Sequence, residues 1–340
     1  MAIDNPYEIL SQSFNFPTKD QRQWWHYTAP GFVKSMTDAK YTPDAKYKQL
    51  AFFYHCVLPH LGQFPYSYKP ISPQASTMAD LFNIEKMWPV VDEIARFDLS
   101  IDTTLFHKIA DLLLLKDEAK ALSSQPGFKL GGPTHRQYQF AVNIKDERLM
   151  LKGYFFTAMK SLAMGVSADR LISNMMESYV QSCAVSTFIT VYLGCDMIDP
   201  ALTRLKVYGL DSEVTFEWLV DLWTLGGRIP NEIKVDHMEL GDLSKSLLPV
   251  IVNYTLLPNK PHPEPQMYLV PFGSPDVQIV DALTQFFERM GWGEAARTYR
   301  ENLFSYYPNQ DFSKTRHVQE AISLSYKEGK PYLSVYLSHF

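Results

Sequence analysis

The heptapeptide Thr203-Arg204-Leu205-Lys206-Val207-Tyr208-Gly209 alternates long polar side chains with apolar ones. A β-strand sends successive side chains to opposite faces. Arg204, Lys206 and Tyr208 therefore share one face, and Leu205 and Val207 point to a core. Two cations and a phenol make a poor solvent face, because Tyr favours partial burial. They make a good wall for a phosphorylated ligand with an apolar tail. The alternation recurs. Leu151-Lys152-Gly153-Tyr154-Phe155-Phe156 puts Lys152, Tyr154 and Phe156 together, and Pro265-Gln266-Met267-Tyr268-Leu269 puts Gln266 with Tyr268. Pro331-Tyr332-Leu333-Ser334-Val335-Tyr336-Leu337 aligns Tyr332, Ser334 and Tyr336. Should those faces converge, the site is a cationic cluster ringed by phenols.

The elements between these strands are helical. Residues 4–62 carry helical spacing, notably Tyr47, Leu50, Ala51, Tyr54 and Val57, and Pro59 with Gly62 closes the stretch. Trp24-Trp25 reads as core packing. Tyr66 to Ile71 is strand-like. Ala79 to Leu122 is helical, with Ile94, Phe97, Leu99, Phe106, Ile109, Leu112 and Leu113 as its apolar positions. Gln137 to Ile144 and Leu149 to Phe156 form a hairpin through Lys145-Asp146-Glu147. A helix over Met159 to Tyr179 precedes a second strand pair, Thr187 to Leu193 with Leu202 to Gly209. A helix over Ser212 to Gly226 precedes a third, Leu247 to Leu256 with Gln266 to Val270. Asp276 to Phe304 is helical, and His317 to Ser325 with Tyr332 to Ser338 is the fourth pair. Antiparallel pairs separated by helices do not suit a parallel βαβ sheet. They suit a barrel of hairpins inside a ring of helices, wide enough to hold a ligand. The fold class is α+β, with residues 1–340 as one domain.

Composition narrows the function. A net charge of −5 and a pI near 6.0 leave no basic patch for nucleic acid. Cys56, Cys183 and Cys195 form no CxxC pair, which suits a reducing compartment without structural disulfides. No apolar run is long enough to span a bilayer, and the N-terminus lacks the basic and apolar regions of a signal peptide. The expected location is cytoplasmic. The nine His make no HxxxH or HxH pair, so no metal site is expected. Gly131-Gly132 lacks a following GK[ST], and no Gly-x-Ser-x-Gly occurs. His135-Arg136 reads as loop charge.

Five motifs in order carry a resemblance: Trp24-Trp25-His26-Tyr27-Thr28-Ala29-Pro30, Leu58-Pro59-His60-Leu61-Gly62, Leu151-Lys152-Gly153-Tyr154-Phe155, Arg204-Leu205-Lys206-Val207-Tyr208 and Pro331-Tyr332-Leu333-Ser334-Val335-Tyr336. Together they resemble the fungal aromatic prenyltransferases of the dimethylallyltryptophan synthase type. The resemblance implies the ABBA prenyltransferase barrel, ten antiparallel strands in five pairs inside a ring of helices. It implies transfer of a dimethylallyl group from its diphosphate to an indole-type acceptor in fungal secondary metabolism, making an alkaloid or an indole diterpene. It implies that Lys152, Arg204, Lys206 and Gln266 bind the diphosphate, and that Tyr154, Tyr208, Tyr268, Tyr332 and Tyr336 form a tyrosine shield around the allylic cation. Ionising an allylic diphosphate needs cations fixed on the leaving group and π-faces on the carbocation. No DDxxD motif is present, so protein cations stand in for Mg²⁺ and no cofactor is implied. The partners are two small molecules, with no nucleic acid and no membrane; a homodimer is left open.

The chain departs from the family in one place. The family's first strand carries an acidic residue that orients the acceptor, and its second begins with a diphosphate-binding Arg. Here Leu61-Gly62-Gln63-Phe64-Pro65 runs straight into Tyr66-Ser67-Tyr68-Lys69-Pro70-Ile71, whose end matches the close of that second strand. About nine of ten strands remain, and the residue for the acidic role is unknown; Glu264 is a candidate by its nearness to Gln266. Two explanations stand: loss of the segment, or a gene model that skips coding sequence. The alternative function is a degenerate member that binds a prenyl diphosphate or an aromatic metabolite without turnover.

Overall fold

The computed structural model describes residues 5–61, 63–64, 84–115, 138–157, 160, 189–211, 216–224, 250–258, 260–271, 273–327 and 329–338. The strand expected over Tyr66 to Ile71, all but Lys160 of the helix over Met159 to Tyr179, Gly131-Gly132, His135-Arg136 and Cys183 lie outside them. The chain divides into two compact units. One comprises 1–182, 189–208 and 255–261, the other 183–188, 209–254 and 262–340.

The first unit opens with α1 (Pro6–Ser13), α2 (Lys19–Asp38) and α3 (Pro43–Phe52), which continues through a π-turn over Phe53–Val57 and a 3₁₀ turn over Leu58–His60. The stretch read as helical from 4–62 comprises three helices. Each restarts at a polar N-cap: Asn5 accepts from Tyr7 N–H, Thr18 from Gln21 N–H and Thr42 from Ala45 N–H. Trp24 and Trp25 are buried with Leu50, Phe53 and Leu58, and the Trp25 indole N–H donates to Ser11 Oγ at 2.8 Å. Next come α4 (Ile84–Phe97) and α5 (Thr104–Leu113). The expected run from Ala79 breaks between them, because the Asp98 carboxylate accepts from the Ser100 N–H and hydroxyl and turns the chain. Leu99, expected in the core, lies in that turn and is 91% exposed; Leu112 is also exposed.

Strands β1 (Tyr138–Lys145) and β2 (Arg148–Phe156) form the expected hairpin. Its turn places Asp146 at φ 52°, a left-handed conformation that Asp tolerates better than most residues. The hairpin tip is fastened to α3 and its approach: Gln49 Nε2 donates to Asp146 O at 2.8 Å, Lys48 Nζ to Glu147 O at 2.6 Å and the Tyr41 hydroxyl to Ile144 O at 2.6 Å. Strands β3 (Ile189–Asp196) and β4 (Leu205–Asp211) follow, and β1-β2-β3-β4 neighbour one another in chain order. Both sit a few residues from their expected bounds, and Arg204 immediately precedes β4 rather than lying within it.

One face of these strands builds the core of the unit. Leu149, Leu151 and Phe155 of β2, Leu193 and Cys195 of β3, and Val207 of β4 pack with Phe106, Ile109 and Leu113 of α5. Each fully buried Leu or Phe contributes roughly 1.5–3 kcal/mol. Gly153 lies on this face beneath Phe106. A Cβ there would come within 2.5 Å of the ring, so only glycine lets α5 approach β2 so closely.

The second unit holds α6 (Phe216–Thr224), β5 (Val250–Leu256, through Tyr254), β6 (Glu264–Leu269), α7 (Asp276–Arg289), α8 (Gly293–Tyr306), β7 (Gln319–Lys327) and β8 (Lys330–Leu337). Its strands neighbour in the order β5-β6-β7-β8. The expected helix from Asp276 to Phe304 divides at Gly291, whose φ of 71° ends α7. Val250 and Met267 pack on Leu219 of α6, and the Tyr254 hydroxyl donates to Leu222 O at 2.6 Å. Ile322, Leu333 and Val335 pack on Ile279, Leu283 and Phe287 of α7.

Asp276 joins α7 to β7. Its carboxylate is fully buried and accepts from the backbone N–H groups of His317, Val318 and Gln319 at 3.1, 3.2 and 3.0 Å. Burial alone would raise its pKa. The Thr315 hydroxyl beside it and the N–H donors of Gln319 and Val318 outweigh that and hold it below the usual carboxylate value. A depressed folded pKa means stability that is present above the unfolded value, about 3.9, and lost as pH falls through the folded one. Asp276→Asn is expected to cost on the order of 1–3 kcal/mol in denaturant unfolding at neutral pH. It should also weaken the loss of stability that the native protein shows below about pH 4.

Candidate functional site

The second face of each strand is polar. In β2 the core residues Leu149, Leu151, Gly153 and Phe155 alternate with the half-buried Met150, Lys152, Tyr154 and Phe156. In β3, Tyr192, Gly194 and Asp196 oppose Leu193 and Cys195. Around β4, Arg204, Lys206 and Tyr208 oppose Leu205 and Val207, both of which meet the core. The division of faces expected for 203–209 is the observed one.

Three phenols meet on this face. The Tyr192 and Tyr208 rings stack at 4.2 Å between centroids and 23° between planes. Tyr154 meets both edge-on, at 5.9 Å from Tyr192 and 5.8 Å from Tyr208. Tyr154 lies opposite Gly194 in the β2–β3 register. A Cβ on Gly194 would stand 3.1 Å from the Tyr154 ring and 3.4 Å from that of Tyr208, so glycine lets the rings lie close on the sheet.

The cations border these rings. Lys152 sits opposite Asp196 in register, and Arg204 Nε donates to Asp196 Oδ2 at 2.5 Å. Asp196 is 2% exposed at its side chain and Arg204 is 34% exposed. An almost fully buried carboxylate thus fixes a guanidinium that still reaches solvent. Arg204 also sets an NH2 group 3.7 Å from Met150 Sδ, on the Lys152 face. Lys206 shares the Tyr208 face by alternation. Cys195 points the other way. Burial, with Asp196 beside it, pushes its thiol up to about 12, so it is no nucleophile near neutral pH.

The second unit has its own polar cluster. The Asn253 side-chain N–H₂ on β5 donates to Gln266 Oε1 at 3.1 Å and to the Tyr268 hydroxyl at 3.0 Å. Gln266 Nε2 donates to Ser323 Oγ on β7 at 2.8 Å. The Tyr268 and Tyr336 rings lie 5.9 Å apart. Tyr332, Ser334 and Tyr336 share one face of β8, since Leu333 and Val335 pack on α7. The ring of Tyr332 is covered by Lys327 Nζ at 3.3 Å, a cation–π contact. Glu264 opens β6 and alternates onto the side of Gln266 and Tyr268.

The nine residues singled out from the sequence therefore gather in two groups. Lys152, Tyr154, Arg204, Lys206 and Tyr208 belong to the first unit, and Gln266, Tyr268, Tyr332 and Tyr336 to the second. The sequence reading passed over Tyr192, Asp196, Asn253 and Ser323. Tyr192 and Asp196 were accessible to it, because Thr190-Val191-Tyr192-Leu193-Gly194-Cys195-Asp196 alternates as clearly as 203–209. Asn253 carried a weaker signal, a lone amide within Val250-Ile251-Val252-Asn253-Tyr254. Among the described residues, no group of three or more His, Cys, Asp or Glu side chains is placed to hold a metal ion.

Cations and phenols on one face of neighbouring strands fit an anionic leaving group next to a carbocation, and the chain is similar to known proteins. The family model described as tryptophan dimethylallyltransferase matches residues 20–69 and 65–302. Its two pieces meet where the sequence reading places the break. "Prenyltransferase criF" of Aspergillus cristatus is 38% identical over 410 residues, covering 98% of this chain and 100% of the relative. That span exceeds the 340 residues present here, so the relative carries stretches that this chain lacks. The crystal structure of AnaPT from Neosartorya fischeri matches with a TM-score of 0.85 at 27% identity, over 98% of this chain and 97% of that one. NotF, crystallised with brevianamide F and DMSPP, matches at 0.82 and 26%, over 98% of each chain. The fold class is accordingly α+β with the ABBA prenyltransferase architecture, and this chain belongs to the tryptophan dimethylallyltransferase family.

Proposed function

We propose that this chain transfers a dimethylallyl group from dimethylallyl diphosphate to an indole-type ring in fungal alkaloid or indole diterpene biosynthesis, without a metal ion. The reaction breaks the bond between the allylic carbon and the diphosphate oxygen, and the bonding pair leaves with the diphosphate. The aromatic carbon then bonds to the allylic cation, and the ring releases a proton to restore its aromaticity. Lys152, Arg204 and Lys206 carry the positive charge that offsets the leaving diphosphate, and Gln266 adds a hydrogen bond to it. Tyr154, Tyr208, Tyr268, Tyr332 and Tyr336 form the shield, offering π-faces that attract a cation. Residues 1–340 act as one catalytic domain in this reading, located in the cytoplasm. Its location is supported by the free thiols of Cys56 and Cys195; no helix among the described residues is long and apolar enough to cross a membrane.

The observation that carries the reading is Arg204 anchored by buried Asp196 on the face that also holds the stacked Tyr192 and Tyr208. NotF, a structural neighbour, has been crystallised with brevianamide F and DMSPP. One observation favours a second reading, a non-catalytic binder: the relative's alignment outruns this chain.

A product assay separates the two. Purified protein, dimethylallyl diphosphate and a panel of indoles are incubated in EDTA and analysed by mass spectrometry. The proposal expects a dimethylallylated indole; the second reading expects none, with binding of a thiolodiphosphate analogue retained and lost in Arg204→Ala. A Gly194→Ala variant should remain folded, with thermal unfolding within about 1 kcal/mol of the native protein. It should turn over more slowly, because the new methyl displaces the Tyr154 and Tyr208 rings. An unchanged rate would remove these two rings from the shield.

A further inference from the structure

Asn253 lies on β5 and is fully buried. Its side-chain N–H₂ has two hydrogens. One goes to Gln266 Oε1 at 3.1 Å and the other to the Tyr268 hydroxyl at 3.0 Å. The first of these bonds fixes the polarity of the Gln266 amide. The Gln266 carbonyl oxygen is turned to Asn253, so its amide N–H₂ must point away. One of those hydrogens reaches Ser323 Oγ at 2.8 Å, and the second is available to an acceptor on the same side. Without Asn253, the Gln266 amide could rotate and present a carbonyl lone pair, which would repel a phosphate oxygen.

We propose that Asn253 is a positioning residue that locks Gln266 as a hydrogen-bond donor toward the diphosphate. This rests on the assignment of Gln266 to the diphosphate made above. The recognition is that of a prenyl diphosphate's terminal oxygens, and Asn253 acts on it only through Gln266. An apolar residue of similar size at 253 keeps the packing and removes the lock.

The test is a double-mutant cycle on calorimetric binding of dimethylallyl thiolodiphosphate by the full chain. Asn253→Leu is expected to weaken binding on the order of tenfold, the effect of about one lost hydrogen bond to a charged group. Gln266→Ala should do the same. The double variant should be hardly weaker than Gln266→Ala, because Asn253 has then lost the partner it acts through. In turnover, Asn253→Leu should raise KM for dimethylallyl diphosphate and leave KM for the indole unchanged, a split that general loosening of the strand would not produce. Ser323→Ala, which removes the second tether of Gln266 and introduces no new bulk, should weaken analogue binding in the same direction. It serves as the reading if Asn253→Leu does not fold. Native-like binding by Asn253→Leu, or by Ser323→Ala in its place, would overturn the inference while Gln266→Ala remained impaired. Losses that multiply in the double variant would also overturn it, as they would mean independent effects. If Gln266→Ala itself binds as the native protein does, the assignment of Gln266 fails and the inference falls with it.

Discussion

The two-residue period of the β-strand is the constraint from which the polar wall follows. Leu151 and Phe155, Leu193 and Cys195, and Val207 are held against α5 by burial. With that face fixed, Lys152, Tyr154, Tyr192, Asp196 and Tyr208 must point to the other. A slip of one residue in any strand would exchange the two sets, exposing the apolar side chains and burying the charges. Packing on the helices therefore sets the register and the register sets the chemistry. Gly153 is part of this arrangement, because it lets Phe106 lie directly on β2.

Charge on such a wall must be held in place to be useful. Burying an isolated cation or carboxylate is costly, and a pair is tolerated when its geometry is good. Asp196 is almost wholly buried and spends its charge on Arg204, leaving the guanidinium partly open. A cation held before the ligand arrives needs little reorganisation when negative charge develops on a departing diphosphate. The second unit uses neutral groups in a comparable way: Asn253 and Ser323 hold the Gln266 amide in one orientation.

The sequence made most of this legible where alternation was strong. Lys152 with Tyr154, and Lys206 with Tyr208, could be placed on shared faces because an apolar residue separates each pair. Hairpin β1–β2 was legible from its polar turn. Helix ends were harder to read. The breaks near Asn5, Thr18, Thr42 and Asp98 depend on single side-chain hydrogen bonds to backbone N–H groups, which hydrophobic spacing does not register, and Leu99 was misplaced for that reason. Asp196 stands on a strand whose alternation was legible, but its pairing with Arg204, like that of Asn253 with Gln266, arises between strands. Nothing in a lone Asp or Asn announces which Arg or Gln will stand beside it.

The most direct test of the account is a crystal structure of the protein with dimethylallyl thiolodiphosphate and an indole acceptor, grown without divalent metal. The proposed reaction requires the diphosphate against Lys152, Arg204, Lys206 and Gln266, with the prenyl tail on the faces of Tyr154 and Tyr208. A diphosphate seated away from Arg204, or held through a metal ion, would contradict it.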